Sequence, residues 1–170
     1  MLLSAFQGCS TKYTIHSPKY CHYEGEINQH RRVIRTDRRR IFQILTQESR
    51  FSQVCPQGTR VIHTSPLPYQ VGTIVKTKID HIYKLEWNSR VEEITRDTRI
   101  RLQFLDGFFS GGTELWELEP AGDRTWVSHT IIVQPRGLLR KLAWHLKVRL
   151  KHDKMLEALL DNLRRVCETP

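Results

Sequence analysis

His129 is the residue of this sequence whose position points most directly to chemistry. It lies between Val127 and Ile131, in the apolar register of a predicted strand. An imidazole that faces an apolar interior can hydrogen-bond a ligand carbonyl or hydroxyl, and it can transfer a proton near neutral pH. The alternative is a core histidine bonded to the backbone or to Tyr83. His129 is therefore the candidate catalytic residue, and both interpretations stay open.

Further polar side chains flank the same predicted interior. Ser89 shares a strand face with Trp87, which makes it a candidate ligand contact. On the C-terminal helix, His145, Arg149 and His152 either meet an acidic ligand at a cavity mouth or lie on the solvated flank. Because Asp and Glu fall mostly in polar registers, no acid–base pair or catalytic triad is predicted.

Cysteine and histidine spacing argues against a metal centre. The eight histidines contain no H-x-x-H or H-x-x-x-H pair, and the four cysteines contain no C-x-x-C pair. Scattered cysteines are typical of reduced thiols in a cytoplasmic protein, which is the expected location. The sequence thus predicts no metal and no cofactor.

A cluster of arginines lies where the first predicted strand meets the first helix. It comprises Arg31, Arg32, Arg38, Arg39 and Arg40. Arginines in the first turn of a helix oppose its dipole, so nearby acids or an external anion would offset that cost. With a formal net charge of +9, the cluster is a candidate contact for RNA or an anionic membrane. The alternative is a solvated basic surface.

Phe108 and Phe109 occupy a glycine-flanked loop between two predicted strands. Adjacent aromatic residues on such a loop are candidates for a lid over a cavity or for a membrane contact. The alternative is a hairpin loop that tucks both rings over the end of the sheet. The loop is not a phosphate-binding loop, because no helix and no Lys-Ser/Thr pair follows it.

The elements that would position these residues are consecutive strands between helices. Apolar and polar residues alternate from about residue 61 to residue 133 over about six short strands, with turns between them. Strands joined by short turns pair antiparallel, because parallel pairing needs long crossovers. One apolar face and one charged face place a core on one side of the sheet and water on the other.

Helices are predicted on either side of these strands. A first strand over about 26–35 precedes a short helix over about 37–54, capped by Thr36 or Asp37. This helix is either continuous or broken near Gln47–Ser49. After Pro135, leucines three, four or six residues apart predict one long helix that ends near Cys167. Residues 1–25 are predicted to be an irregular arm, and 26–170 one α+β domain.

Several segments resemble the START-like superfamily of polyketide cyclases and lipid-transfer domains. VIRTDRRRIFQILT at 33–46 is similar to its opening strand and helix, and Gly72 falls where the family enters its next strand. ELWELEP at 114–120, followed by GDRTWV at 122–127, resembles the W-x-F-E-P and G-T-x-V hairpin of the cyclase-like group. PRGLL at 135–139 resembles the start of the last helix. The resemblance covers residues 28–167.

The resemblance implies a helix-grip fold, in which a curved antiparallel sheet wraps a long C-terminal helix and two short helices follow the first strand. It also implies a cavity between sheet and helix for a lipid, polyketide or isoprenoid. The expected lining residues face this interior: Leu85, Trp87, Ser89, Val91, Leu102, Phe104, Trp116, Leu118, Val127, His129, Ile131, Leu142 and Leu146. The alternative for each is simple core packing.

Three functions follow as hypotheses. The first is non-catalytic binding, transport or sensing of an apolar small molecule. The second is an enzyme of the cyclase or dehydratase type, which would depend on His129. The third is a ribosome- or RNA-associated module that would use the arginine cluster. No transmembrane segment is expected, and the oligomeric state stays open.

Overall fold

The computed structural model describes residues 23–80 and 85–169 of the 170-residue chain. Its seven strands are β1 Glu26–Ile34, β2 Thr59–His63, β3 Ile74–Ile79, β4 Leu85–Thr95, β5 Arg99–Phe104, β6 Thr113–Ala121 and β7 Arg124–Val133. They form one curled antiparallel sheet in the order β1-β7-β6-β5-β4-β3-β2. The predicted α+β class and antiparallel pairing are confirmed. Residues 1–22, which hold most of the predicted N-terminal arm, lie outside the described residues.

Two short helices follow β1, as predicted. They are α1 Arg38–Thr46 and α2 Glu48–Val54, separated at Gln47. The Asp37 carboxylate accepts a hydrogen bond from the Arg40 backbone N–H at 2.9 Å. This cap satisfies a backbone donor that has no partner within the helix and holds α1 at the end of β1.

The C-terminal helix runs from Leu138 to Glu168 and lies against the sheet. It consists of α3 Leu138–Ala143, a π-helical turn Trp144–Val148 and α4 Arg149–Glu168. Leu156, Leu160 and Leu163 are buried, as the leucine spacing predicts. This half of the helix closes the core against the sheet.

The leucines of the first half of the helix are exposed, which corrects the prediction for Leu142 and Leu146. These two side chains are 53% and 66% exposed. A π-helical turn holds one more residue than an α-helical turn, and one residue corresponds to about 100° of rotation. Leu142, before the turn, is therefore out of register with the buried Leu156, Leu160 and Leu163. Trp144, only 1% exposed, faces the core instead.

Candidate functional site

A cavity of about 60 Å³ lies between the sheet and α4. Its wall is mostly apolar, with side chains from the sheet, from α1 and α2, and from α4. Nine lining side chains carry nitrogen or oxygen atoms: Thr59, His63, Tyr69, Thr77, Trp87, Glu114, Trp116, His129 and His152. An apolar wall with a few polar groups is the usual composition of a small-molecule site.

About half of the predicted lining residues line this cavity. They are Trp87, Leu102, Phe104, Trp116, His129 and Ile131. Leu85 and Trp87 border a second, much smaller space beside Phe109. Four others are buried in the core away from the cavity: Ser89, Val91, Leu118 and Val127. Leu142 and Leu146 lie on the opposite, solvent side of the helix, so their assignment to the wall is wrong.

His129 is held by a carboxylate inside the cavity. Its Nε2 lies 3.1 Å from Oε1 of Glu114. The Trp116 indole N–H donates to the same oxygen at 2.9 Å. Tyr83, the partner considered for His129 from the sequence, lies outside the described residues. Since His129 is 3% exposed and Glu114 lines the cavity, a carboxylate–imidazole pair faces the interior.

Four lining residues carry buried polar atoms that have no hydrogen-bond partner among the described residues. The atoms are Thr59 Oγ1, Trp87 Nε1, His129 Nδ1 and His152 Nδ1. A buried polar atom without a partner costs roughly 1–3 kcal/mol. Native structures contain few such atoms, and four of the residues that carry them line this one cavity.

His152 connects the cavity to a cluster of polar residues between β1 and α4. Its ring lies 6.0 Å from that of His129 and 6.1 Å from that of His30, measured between centroids. Burial, followed by the charges of the two neighbouring histidines, holds the pKa of His152 well below its usual value. His152 is therefore neutral near pH 7, and each of its ring nitrogens can be a donor or an acceptor according to the tautomer.

His30 is bound by acidic side chains of α4. Its Nδ1 lies 2.7 Å from Glu157, and its Nε2 lies 3.1 Å from Asp153 and 3.0 Å from the Asn28 side-chain oxygen. Burial lowers the pKa of His30, but the hydrogen bonds and charges of the two acids outweigh burial, and the net pKa is raised. An imidazolium that donates from both nitrogens fits these acceptors.

The same cluster contains the donor atoms that could hold a metal ion among the described residues. One donor atom each of His30, His152 and Asp153 lies within 4.8 Å of the other two. Sequence spacing does not reveal this group, because β1 and α4 are far apart in the chain. The hydrogen bonds of a protonated His30 account for its short contacts without a metal.

Tyr69 and His63 form the other polar side of the cavity, with ring centroids 4.9 Å apart. Burial, and then the negative charge of Glu114, raises the pKa of Tyr69 far above its usual value, so its hydroxyl stays protonated. Burial lowers the pKa of His63 despite the nearby Glu48. Both rings are thus neutral near pH 7 and can exchange hydrogen bonds with a guest.

The predicted lid residues are tucked inward. Phe109 is 3% exposed and lines the cavity. Its ring packs edge-on against Trp87 at 5.1 Å and against Trp144 at 6.2 Å. Phe108 stacks on Trp144. Phe109 therefore lines the cavity from within the core, whereas Phe108 packs against it and stays partly exposed.

The arginine cluster does not form one continuous surface. Arg31 stacks over Trp126 at 4.7 Å and pairs with Glu119, whereas Arg32 pairs with Glu157 and Asp161 of α4. Neighbouring residues of a strand face opposite sides of the sheet, which separates these two side chains. Arg38, Arg39 and Arg40 begin α1, where Arg40 donates to the Val166 carbonyl. As an anion site, the cluster remains a prediction.

Several polar cavity residues were missed by the sequence reasoning, among them Thr59, His63, Tyr69 and Glu114. Glu114 had a readable signal, and so had the burial of His152. Glu114 shares the strand face of Trp116 and Leu118, two and four residues later, which is an apolar register. His152 lies three and four residues before the buried Met155 and Leu156, on the core side of the helix. Of the two alternatives for His152, the solvated flank is wrong, because its side chain is buried and lines the cavity.

Solved structures share this architecture at low sequence identity. The chain superposes on the KanY protein (ms6282) with a TM-score of 0.70 at 11% identity, over 86% of this chain and 100% of that one. For Aha1 from Colwellia psychrerythraea, solved as a dimer, the TM-score is 0.64 at 14% identity, over 84% and 96%. For TTHA0849 from Thermus thermophilus it is 0.64 at 16% identity, over 82% and 94%.

The chain has a helix-grip fold. No protein-family model and no curated protein matches its sequence, so the structural likeness defines the fold alone. Within residues 23–80 and 85–169, no helix combines the length and the apolar character needed to cross a bilayer.

Proposed function

We propose that this protein binds a small apolar molecule that carries a hydrogen-bonding group, in the cavity between the sheet and α4. One observation carries the proposal: four residues that line a mostly apolar cavity each carry a buried polar atom without a protein partner among the described residues. An apolar body would replace water against the wall, and its polar end would partner Thr59, His129 or His152.

The size of the cavity limits the guest. A volume of about 60 Å³ holds only a few water-sized spheres. A short chain suits this space as it stands, and a single ring requires small shifts of the lining side chains. A sterol or a two-chain lipid requires aromatic side chains such as Phe109 to move. Small apolar guests are therefore the first class to test, ahead of the larger lipids.

Phenol and toluene make a matched pair of probes, because one carries a hydroxyl where the other carries a methyl group. We expect phenol to bind more tightly and to change the fluorescence of the lining residues Trp87 and Trp116.

Thr59→Val removes the hydroxyl of a lining residue and should weaken phenol binding severalfold, with little effect on toluene. Ser89→Ala is the control, since its buried hydroxyl also has no partner among the described residues but does not line the cavity. Equal weakening by both variants, or no binding of either probe, would contradict the proposal.

Acid–base catalysis is a second candidate, favoured by the Glu114–His129 pair in the cavity. A carboxylate or imidazole in an apolar site can remove a proton from a bound carbon acid, as cyclase and dehydratase chemistry requires. The probe is 5-nitrobenzisoxazole, a flat apolar molecule that opens when a base removes its ring proton. Turnover should fall at least about tenfold in both Glu114→Gln and His129→Gln. Unchanged turnover in these variants would remove the candidate.

A further inference from the structure

The first half of the C-terminal helix presents an apolar face to solvent. This leucine stripe consists of Leu138, Leu139, Leu142, Leu146 and Leu150, which are between 53% and 82% exposed. Most large apolar residues of a soluble domain are at least partly covered. Five exposed leucines on one helix make a contiguous patch, and patches of this kind mark interaction sites.

The opposite face of this segment is fixed to the domain, so the stripe cannot turn inward by a small adjustment. Trp144 is buried, and its indole N–H donates to Glu26 of β1 at 3.0 Å. His145 lies 3.2 Å from the other carboxylate oxygen of Glu26. Phe108 stacks on the Trp144 ring. These contacts hold the leucine stripe outward.

The residues around the stripe are basic. Between Asp123 and Asp153 the sequence contains no acidic residue, and five basic residues alternate with the leucines: Arg140, Lys141, Lys147, Arg149 and Lys151. A helix with one apolar face and many Lys and Arg residues is suited to the interface of an anionic membrane. Its leucines enter the boundary of headgroups and acyl chains, while its cations meet lipid phosphates.

Charge also disfavours two other partners that could cover the leucine stripe. A second copy of this chain, packed stripe to stripe, would bring the basic residues of both copies together. Residues 1–22 of the same chain contain Lys12 and Lys19 and no acidic residue, so they do not complement the stripe either. An anionic surface neutralises the basic residues and covers the leucines at the same time.

We infer that the segment Leu138–Lys151 docks this protein on anionic lipid bilayers, with the leucine stripe in the membrane interface. The inference goes beyond ligand binding and does not depend on it. In the docked state, the side chains of Trp144 and Phe109 lie on the side of this helix that faces away from the membrane.

Vesicle flotation of the full chain tests this inference. Vesicles of phosphatidylcholine with roughly a quarter phosphatidylglycerol should bind the protein, and phosphatidylcholine alone should bind it at least about tenfold less. Raising the salt from about 0.1 M to about 0.5 M should weaken binding. Equal binding to both kinds of vesicle, or no binding to either, would overturn the inference.

Two pairs of variants locate the contact. A triple variant that carries Leu138→Gln, Leu142→Gln and Leu146→Gln should bind anionic vesicles at least about tenfold more weakly. The control triple variant changes exposed apolar residues elsewhere: Leu67→Gln, Val71→Gln and Leu105→Gln.

The second pair changes charges. A double variant that carries Arg140→Glu and Lys141→Glu should bind anionic vesicles about fivefold or more weakly per charge. Arg38→Glu with Arg39→Glu changes the net charge equally and should have a smaller effect. The reverse ranking in either pair would contradict the inference.

Hydrogen exchange of the full chain distinguishes membrane docking from the two other ways in which the leucine stripe could be covered. Residues 138–151 should gain protection only when anionic vesicles are added. Protection that rises with protein concentration, together with a dimer that the leucine triple dissociates, would assign the stripe to a second copy. Strong protection without vesicles and independent of concentration would assign it to residues 1–22. Either result would overturn membrane docking.

Discussion

Oε1 of Glu114 lies 3.1 Å from Nε2 of His129, on the neighbouring strand β7, and accepts the Trp116 indole N–H as well. One carboxylate oxygen therefore fixes an imidazole and an indole in the cavity wall. The other ring nitrogen of His129, Nδ1, has no partner among the described residues. This arrangement orients the imidazole and leaves one nitrogen for the guest that we propose.

Substitution of Glu114 tests this arrangement directly. Glu114→Ala leaves Trp116 Nε1 and His129 Nε2 without their acceptor, which should lower the free energy of unfolding by about 2–4 kcal/mol. Glu114→Gln keeps an acceptor oxygen for the indole and should cost only about 1 kcal/mol. Urea unfolding measures both. Equal losses in the two variants would mean that the shared oxygen does not stabilise the site.

His30→Gln should destabilise the protein in a pH-dependent way. The folded-state pKa of His30 is raised, so its contribution is complete below its unfolded pKa of about 6.5 and is lost as the pH rises through the higher folded value. The folded-state pKa values of Asp153 and Glu157 are lowered, so their contributions are lost only in acid. The stability gap between wild type and variant should be about 2 kcal/mol near pH 6 and should shrink above it.

The two other histidines with shifted pKa values change the pH dependence of stability in the opposite direction. The folded-state pKa values of His63 and His152 are lowered, so the stability they contribute is present above pH of about 6.5 and declines below it. Both remain in His30→Gln, and their effects largely cancel in the difference. His145→Gln is the control, because that side chain is half exposed. A stability difference between wild type and His30→Gln that grows with pH would contradict the raised folded-state pKa of His30.

Thr59→Val and Thr125→Val should have opposite effects on stability. Thr59 Oγ1 is buried without a partner among the described residues, so its removal should leave the melting temperature unchanged or raise it. Thr125 Oγ1 donates to the Thr36 carbonyl at 2.7 Å, and its removal should cost about 1 kcal/mol. Calorimetry of the ligand-free proteins checks this pair. A large loss in Thr59→Val would show that its hydroxyl has a partner.

Gly112→Ala should disrupt the loop that places Phe109 in the cavity wall. A Cβ at Gly112 would lie 2.5 Å from the Ile132 carbonyl oxygen and 3.0 Å from that of Phe109, so backbone must move. We expect a loss of about 3 kcal/mol or more. At the neighbouring Gly111 a Cβ meets nothing within 4 Å, and only its φ of +85° opposes alanine, which costs about 1 kcal/mol. Similar losses at both positions would contradict the packing of this loop.

Much of the fold could be predicted because it depends on local periodicity. Alternation of period two located the strands, and Asp37 correctly marked the start of α1. The candidate site was predicted less completely. His129 was found because its own strand places it between apolar residues, whereas Glu114 was overlooked although its register with Trp116 was readable. His30 and Asp153 meet only through the contact of β1 with α4.

The sequence by itself determined the order and type of the elements, since each depends on the spacing of apolar residues within one segment. Only the tertiary structure decided which face of the C-terminal helix is buried. The π-helical turn at Trp144–Val148 shifts the register by one residue. The six-residue step from Leu150 to Leu156 interrupts the leucine repeat, but it does not show where the register changes. That single shift turns Trp144 to the core and Leu142 and Leu146 to solvent.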